Sequence, residues 1–183
     1  MTSFLARVFP CLRRRRPAAI GALRAGRAAT VRGRVVPRDL LDSPLRGERC
    51  VYYRCVHEQW RDPTLRFPGG GGTWNVTQED EAIAEFYLED GTGRALVFPE
   101  GAEVAAGALR TEEVGIGLRA SEACILPDDV VEVAGIVDDV VDVLDDLRGY
   151  REGATRVLLR APAGGRLRIR VVRAAPIRPR AAR

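Results

Sequence analysis

The sequence contains no lysine, and all 29 basic residues are arginine. This absence excludes Schiff-base, acetyl-lysine and P-loop chemistry, each of which requires a lysine side chain. Together with the abundant alanine and glycine, exclusive use of arginine is typical of a bacterial genome of high GC content. The arginines are therefore weaker evidence for phosphate recognition than a mixture of lysine and arginine would be.

Histidine and cysteine are scarce. There is one histidine, His57, and no two of the four cysteines form a C-x-x-C pair. A zinc site of ordinary spacing is therefore not predicted, and we expect neither a metal nor a cofactor. Cys50 and Cys55 are five residues apart, so a strand would place their side chains on opposite faces, which disfavours a mutual disulfide. We expect free, buried cysteines.

Long apolar runs are also lacking, so no transmembrane helix is predicted. The first residues, "MTSFLARVFPCLRRRRP", place their basic run after the apolar residues, which is the reverse of a signal peptide. We therefore expect a cytoplasmic protein. Because apolar side chains lie beside the arginines of residues 13–16, peripheral contact with an anionic membrane surface is the alternative to a disordered arm.

Charge is distributed unevenly along the chain. Residues 1–40 hold ten arginines against one acid, residues 128–152 hold nine acids against two arginines, and nine arginines with no acid follow Glu152. The acidic cluster at 138–146 lacks the spacing and turn glycine of an EF-hand loop, so we interpret it as a solvated face. We divide the chain into a flexible basic arm (1–19), one domain (20–175) and a disordered basic tail (176–183).

Short β-type segments separated by turns dominate the domain. Residues 30–37, 50–60 and 130–137 read as strands, and "FYLEDGTGRALVF" (86–98) reads as a hairpin that turns at D-G-T-G. Residues 61–82, which contain four consecutive glycines, predict a mobile loop. Residues 101–120 predict a short helix or an irregular link, and residues 155–173 a final hairpin around Gly164 and Gly165.

This order of elements predicts a mainly β protein. The best match is a small OB-like barrel of five strands with an inserted hairpin and a short helix or irregular link. A β-sandwich is the alternative, although its strands are usually more evenly spaced.

Four blocks of the sequence resemble a known family in order and spacing. They are "VRGRVV" (31–36), "SPLRGERCVYYR" (43–54), "FYLEDGTGRALV" (86–97) with "GAEV" (101–104), and "ILPDDVVEVAGIV" (125–137). Over roughly residues 20–137 they are similar to the GIDE domain, also called BAM for "beside a membrane". That domain occurs in membrane-anchored RING E3 ubiquitin ligases of mitochondria and chloroplasts and in many bacterial proteins.

The resemblance implies a binding module rather than a catalyst. In the ligases ubiquitin transfer belongs to a zinc RING, whereas the last 50 residues of this chain hold no cysteine and no histidine. The chain also lacks the transmembrane helices of the usual members. The resemblance gives mainly structural roles to Gly33, Ser43, Pro44, Gly47, Cys50, Tyr53, Asp90, Gly91, Gly93 and Gly135.

We expect recognition to lie on the inserted hairpin and the glycine loop, because loops on rigid barrels usually carry it. The expected partner is a protein of unknown identity or a membrane-proximal assembly. The candidate partner-binding residues are Arg54, Trp60, Gly70, Trp74 and Arg94.

Catalysis is not predicted. Cys55 and His57 would share one strand face, but strand neighbours two residues apart are about 6–7 Å apart, beyond hydrogen-bond reach for short side chains. No orienting acid is indicated, so we expect a buried cysteine beside a histidine at the rim.

The alternative function is single-stranded nucleic-acid binding, because OB barrels bind single strands through a basic groove with stacking aromatic residues. The aromatic residues nevertheless alternate with apolar neighbours, as core residues would. The candidates are Tyr52, Trp60, Trp74, Phe86, Tyr87 and Phe98, with Arg32, Arg34, Arg54 and Arg94.

Overall fold

A computed structural model describes residues 16–61, 72–107, 109–141 and 155–174. Its single helix in these ranges is a 3-10 turn, Ile20–Ala22. No helix among the described residues has the length and hydrophobicity needed to cross a bilayer. The strands are β1 (Ala28–Pro37), β2 (Leu41–Asp42), β3 (Arg49–Cys50), β4 (Tyr52–Arg61), β5 (Thr73–Ile83), β6 (Phe86–Asp90), β7 (Gly93–Val97), β8 (Glu103–Ala105), β9 (Arg110–Gly115), β10 (Leu118–Ile125), β11 (Val130–Val141), β12 (Thr155–Arg160) and β13 (Arg168–Arg173).

Five strands close into a barrel in the order β1-β6-β7-β12-β11, and β11 pairs again with β1. All pairings in the ring are antiparallel except that between β7 and β12. The predicted OB-like barrel is therefore confirmed, and the alternative sandwich is not adopted. β13 and β8 extend the barrel sheet beyond β11.

The barrel core follows the two-residue period of its strands. In β1, Val31 and Val35 are fully buried while the arginines between them face solvent. In β6, Phe86 and Leu88 are fully buried as well, and the return strand β7 buries Val97. The alternation that predicted the first strand and the D-G-T-G hairpin thus also identifies the core.

Four further strands form a second sheet next to the barrel, in the order β5-β4-β10-β9. One hairpin, β4–β5, comes from the long connection between β1 and β6, and the other, β9–β10, precedes β11. Two predictions are wrong here. Residues 73–82, assigned to a mobile loop, belong to an eleven-residue strand paired with β4. Residues 101–120, expected as a helix or irregular link, contain β8, β9 and the start of β10.

The predicted final hairpin is also wrong. Both β12 and β13 are antiparallel to β11, β12 along residues 136–141 and β13 along residues 130–134. They therefore run in the same direction, one after the other, on the edge of β11 that β1 leaves open. The turn around Gly164 does not reverse the chain onto its preceding strand; it lets the chain leave the edge of β11 and return to it.

The ends of the chain are described only in part. The backbone N–H of Ala18 donates to the carbonyl of Thr30 (2.8 Å), and Ile20 lies in the barrel core, so pairing begins slightly before the expected boundary at residue 20. The rest of the predicted arm (1–15), the loop at 62–71, the acidic stretch from 142 to 154 and the tail from 175 onward lie outside the described residues.

Candidate functional site

Trp60 and Trp74 face each other across β4 and β5 near the far end of the second sheet. Their ring centroids are 5.4 Å apart and the rings meet edge to face at 63°. These are the only tryptophans of the chain. The sequence predicted both as partner-binding residues, and the structure brings them together.

The two indoles line an open groove of about 530 Å³. Its other wall is the β9–β10 turn, which is held against β4 by a hydrogen bond from the Trp60 backbone N–H to the Gly117 carbonyl oxygen (2.8 Å). A Cβ at Gly72 would lie 2.3 Å from the Trp60 ring, so glycine is what allows the ring to lie against this backbone. The remaining lining residues are Glu113, Gly115, Ile116 and Leu118.

Apolar side chains at this end of the sheet are unusually exposed. Ile116, at the tip of the β9–β10 turn, is fully exposed, and Trp60 remains 43% exposed. Val76, Val114 and Leu118 are exposed around them. Trp60, Ile116 and Leu118 line one groove, and contiguous exposed apolar surface marks interaction sites more often than scattered exposed residues do.

Arg119 supports one of the two indoles of the groove. Its guanidinium lies over the Trp74 ring, 4.2 Å from the centroid. The same group donates two hydrogen bonds to the Glu58 carboxylate (2.7 and 3.1 Å), and this pairing raises the pKa of Arg119. The arginine therefore orients an indole while its charge is balanced by Glu58.

The other candidate binding residues do not join this groove. Arg54 donates to Glu79 (2.6 Å) on the second sheet nearer the barrel. Arg94 lies over the Tyr87 ring on the barrel, 4.8 Å from the centroid. Gly70 lies outside the described residues. Of the four candidates that the structure describes, only the two tryptophans form a common site.

The sequence reasoning missed the β9–β10 part of the lining, Glu113 and residues 115–118, and also Arg119, which lies over the Trp74 ring. All lie in the segment 101–120 that was expected to be helical or irregular. The signal available was "VGIGL" (114–118), in which apolar residues alternate with two glycines. Gly117 has a positive φ of 65°, as a tight turn requires.

The S-P-L-R-G-E-R-C block is a turn clamped onto the second sheet. The Ser43 hydroxyl donates to the buried Glu122 carboxylate (3.0 Å) and accepts from the Glu48 backbone N–H (3.1 Å). Glu122 also accepts from the Leu45 N–H (2.9 Å). Gly47 adopts a φ of 62° to complete the turn. A short sequence motif is therefore held in place by a carboxylate from a distant strand.

The remaining residues of this block are spread over the same region. Pro44 is exposed in the turn. The Tyr53 hydroxyl donates to Asp80 (3.1 Å) across β4 and β5. Cys50 is fully buried, as expected, and its thiol donates to the Leu41 carbonyl oxygen (3.7 Å).

Cys50, Cys55 and Cys124 are free thiols. The thiol neighbour of Cys50 is Cys124 rather than Cys55, and sequence spacing gave no signal of this contact. The hydrogen bond with Cys50, reinforced by burial, raises the pKa of Cys124. Burial also raises the pKa of Cys55. Both Cys124 and Cys55 are therefore held as neutral thiols.

The distance expected between Cys55 and His57 was wrong. The Cys55 Sγ and His57 Nε2 atoms are 3.6 Å apart, because the longer imidazole bridges the gap between alternate strand positions. Among the described residues no carboxylate hydrogen-bonds to the His57 ring, so the contact lacks an orienting acid. No cluster of three or more potential ligand side chains is placed to hold a metal ion in this part of the chain.

Asp90 organises the D-G-T-G turn and ties the N-terminal segment to it. One carboxylate oxygen accepts from the Thr92 and Gly93 backbone N–H groups (2.6 and 3.0 Å), and the other accepts from the Ile20 N–H (2.9 Å). Desolvation would raise its pKa, but these hydrogen bonds outweigh it and hold the pKa of Asp90 below its usual value. Gly91 is exposed at the tip of the turn.

Gly33 and Gly135 lie where barrel strands approach each other closely. A Cβ at Gly33 would lie 2.7 Å from the Glu89 carbonyl oxygen, and one at Gly135 would lie 2.5 Å from that of Arg160. Gly135 also faces the buried Leu167 at the point where β12 gives way to β13. Both glycines therefore allow barrel strands to pack closely, and neither lies in the groove.

No family model, no curated protein and no solved structure matches this chain. The geometry of the described residues therefore carries the functional argument alone.

Proposed function

We propose that this protein is a non-catalytic binding module, similar to the GIDE/BAM domain, that holds a protein partner in the groove lined by Trp60, Trp74 and the β9–β10 turn. The observation that carries the proposal is the position of these indoles beside the fully exposed Ile116. Tryptophan in a partly enclosed apolar pocket is a typical energetic centre of protein interfaces.

The architecture supports this use of the groove. Paired strands fix its walls, and the closed barrel supplies a rigid base, so little conformational entropy is lost when a partner binds. The free thiols of Cys50 and Cys55 are typical of a reducing compartment, which supports a cytoplasmic location.

Single-stranded nucleic acid is the less favoured ligand. Arg32, Arg34 and Arg54 are each paired with carboxylates, which removes the positive field that phosphate binding needs. Of the aromatic candidates, Tyr52 and Phe86 are buried in the core and unavailable for stacking. Membrane contact through the N-terminal arm involves residues outside the described ranges.

Selection of displayed peptides against the full chain tests the proposed function. Selected peptides should lose at least about tenfold in affinity on Ile116→Asp, because a buried charge replaces a central apolar contact. Ile116 is fully exposed, so this variant should fold normally, which circular dichroism checks. Phe98→Ala, which alters an exposed aromatic residue on the barrel, is the matched control and should bind as wild type does.

Two results would contradict the proposal. One is a set of selected peptides whose affinity is unchanged by both Ile116→Asp and Trp74→Ala. The other is substrate turnover that Cys55→Ala or His57→Ala abolishes, since the proposed module performs no chemistry.

A further inference from the structure

Two thiols of the second sheet region lie in contact although they belong to elements far apart in the sequence. Cys50 is the last residue of β3, and Cys124 lies near the end of β10. The Cys124 thiol donates a hydrogen bond to the Cys50 sulfur. Cys50 in turn donates to the Leu41 carbonyl oxygen (3.7 Å), so a chain of hydrogen bonds gives both sulfurs a defined position.

The backbone beside the two cysteines is held together as well. The Val51 N–H donates to the Ile125 carbonyl oxygen (2.9 Å), so the residues that follow the two cysteines are hydrogen-bonded to each other. The Ser43 hydroxyl donates to Glu122 (3.0 Å), which holds the turn before β3 against the same strand. A disulfide brings two sulfurs to about 2 Å, which is feasible only where the backbones are already close. These hydrogen bonds supply that proximity.

The two thiols differ as the members of a reactive pair do. The hydrogen bond from Cys124 lowers the pKa of Cys50, so Cys50 is the sulfur that loses its proton first. Cys50 itself is fully buried, whereas Cys124 is half-buried, so a small oxidant reaches the pair from the side of Cys124. Cys55 is different, because burial raises its pKa and its sulfur lies against the His57 ring.

We propose that Cys50 and Cys124 are an oxidation site at which hydrogen peroxide forms a reversible disulfide, and that this bond locks the turn at residues 43–48 onto β10. The Cys50 thiolate attacks the peroxide O–O bond, which gives a sulfenic acid on Cys50 and a hydroxide that takes up the released proton as water. The Cys124 sulfur then attacks the Cys50 sulfur. The S–S bond forms, the S–O bond breaks, and the oxygen leaves with the Cys124 proton as a second water. The two thiols lose two electrons, which reduce the peroxide.

The bond would act as a transient lock. Thiol reductants reopen such disulfides in a reducing compartment, so the bond persists only while peroxide is present. It joins the same two elements that the hydrogen bond between Ser43 and Glu122 joins in the reduced protein. The inference concerns a site apart from the groove, so it stands or fails independently of the proposed binding function.

Peptide mapping of the full chain by mass spectrometry tests the site. Brief treatment with hydrogen peroxide should join the peptides that contain Cys50 and Cys124, and dithiothreitol should separate them. Cys55→Ser is the matched control, since Cys55 is a buried thiol on the neighbouring strand, and should form the bond as wild type does. Cys11→Ser is a second control, because Cys11 lies outside the described residues.

Serine variants of the pair separate the two steps. In Cys124→Ser the serine hydroxyl can still donate to Cys50, so the sulfenic acid should form there and react with dimedone, but no disulfide can follow. Cys50→Ser leaves Cys124 as a neutral thiol, and its labelling should be at least about tenfold weaker. Circular dichroism checks that both variants fold.

Urea denaturation tests the lock. Oxidised wild type should unfold at a urea midpoint at least about 0.5 M above that of the reduced protein, because the cross-link restricts the unfolded chain. Peroxide-treated Cys50→Ser should show no such shift.

Three results would overturn the proposal. They are a peroxide-induced disulfide that joins Cys55 to either cysteine, irreversible oxidation of wild type with no link between Cys50 and Cys124, and equal dimedone labelling of the two serine variants. Equal urea midpoints for oxidised and reduced wild type would overturn the lock.

Discussion

At the scale of single residues, the barrel is most sensitive where backbone approaches backbone. Gly33 lies inside β1 between two fully buried valines, and a Cβ there would meet the Glu89 carbonyl oxygen at 2.7 Å and the Leu88 Cγ at 2.8 Å. The first of these atoms is part of the paired strand β6 and cannot move without disturbing the barrel.

Gly33→Ala should therefore lower the free energy of unfolding by about 1–3 kcal/mol, the usual cost of overpacking a core. Urea denaturation of the full chain measures the change. Gly107→Ala is the control, because a Cβ at that position meets nothing within 4 Å. Equal stability of the two variants would show that the close approach at Gly33 is relieved without cost.

At the scale of elements, the turn at residues 43–48 and the strand β10 depend on each other. Glu122 is 2% exposed and Ser43 is 3% exposed, so neither can replace its lost partner with water. The resemblance predicted a structural role for Ser43, but Glu122, which accepts the hydrogen bond of its hydroxyl, lies on the distant strand β10 and was not identified.

Ser43→Ala should cost about 1–3 kcal/mol of unfolding free energy, because it leaves buried polar groups without a partner. Glu122→Ala should cost more, since it removes the acceptor of both the Ser43 hydroxyl and the Leu45 N–H. A double-mutant cycle should give a coupling energy of about 0.5–3 kcal/mol. Glu100→Ala, at an exposed turn, is the control; a coupling energy near zero would contradict the clamp.

The sequence predicted those elements that a pattern within a few neighbouring residues identifies. The alternation in β1 and the D-G-T-G turn between β6 and β7 identified both elements. By contrast, β5 was missed because its surface residues are polar and follow four glycines. The β9–β10 hairpin was missed because its segment is rich in alanine and glycine, which do not indicate strands. β10 pairs with β4, which is distant in sequence, so only the tertiary structure reveals this pairing; β5 and β9 are edge strands, and each pairs only with the other strand of its own hairpin. The sequence predicted the two tryptophans of the groove but not the residues of the β9–β10 turn that face them, because that hairpin was not recognised.

At the scale of the whole molecule, carboxylates balance the charge of several arginines on the described barrel. Glu132 accepts hydrogen bonds from both Arg32 and Arg170, and Arg34 contacts both Glu89 and Asp128. Among the residues that the structure covers, these networks pair arginines of β1 and β13 with carboxylates of β6, β11 and the turn before β11.

The full chain should therefore bind single-stranded oligonucleotides more weakly than micromolar at about 150 mM salt. Fluorescence anisotropy measures this affinity as a function of salt. Any binding at low salt should be unaffected by Arg54→Gln, because Arg54 is paired with Glu79. Micromolar binding at physiological salt that Arg54→Gln or Trp60→Ala abolishes would contradict this prediction.

Along the chain, the hairpins of the second sheet lie between strands of the barrel, and this order affects how the protein folds during synthesis. The first barrel strand, β1, needs β11, and the ring closes only when β12 pairs with β7. Residue 160 must therefore be synthesised before the barrel can form. Until then, the apolar side chains of β1 and β6 that the folded barrel buries remain exposed to solvent. Since pairings distant in sequence also form slowly, the nascent chain passes through a long interval in which it is open to aggregation. The barrel can therefore be completed only after residue 160 has left the ribosome.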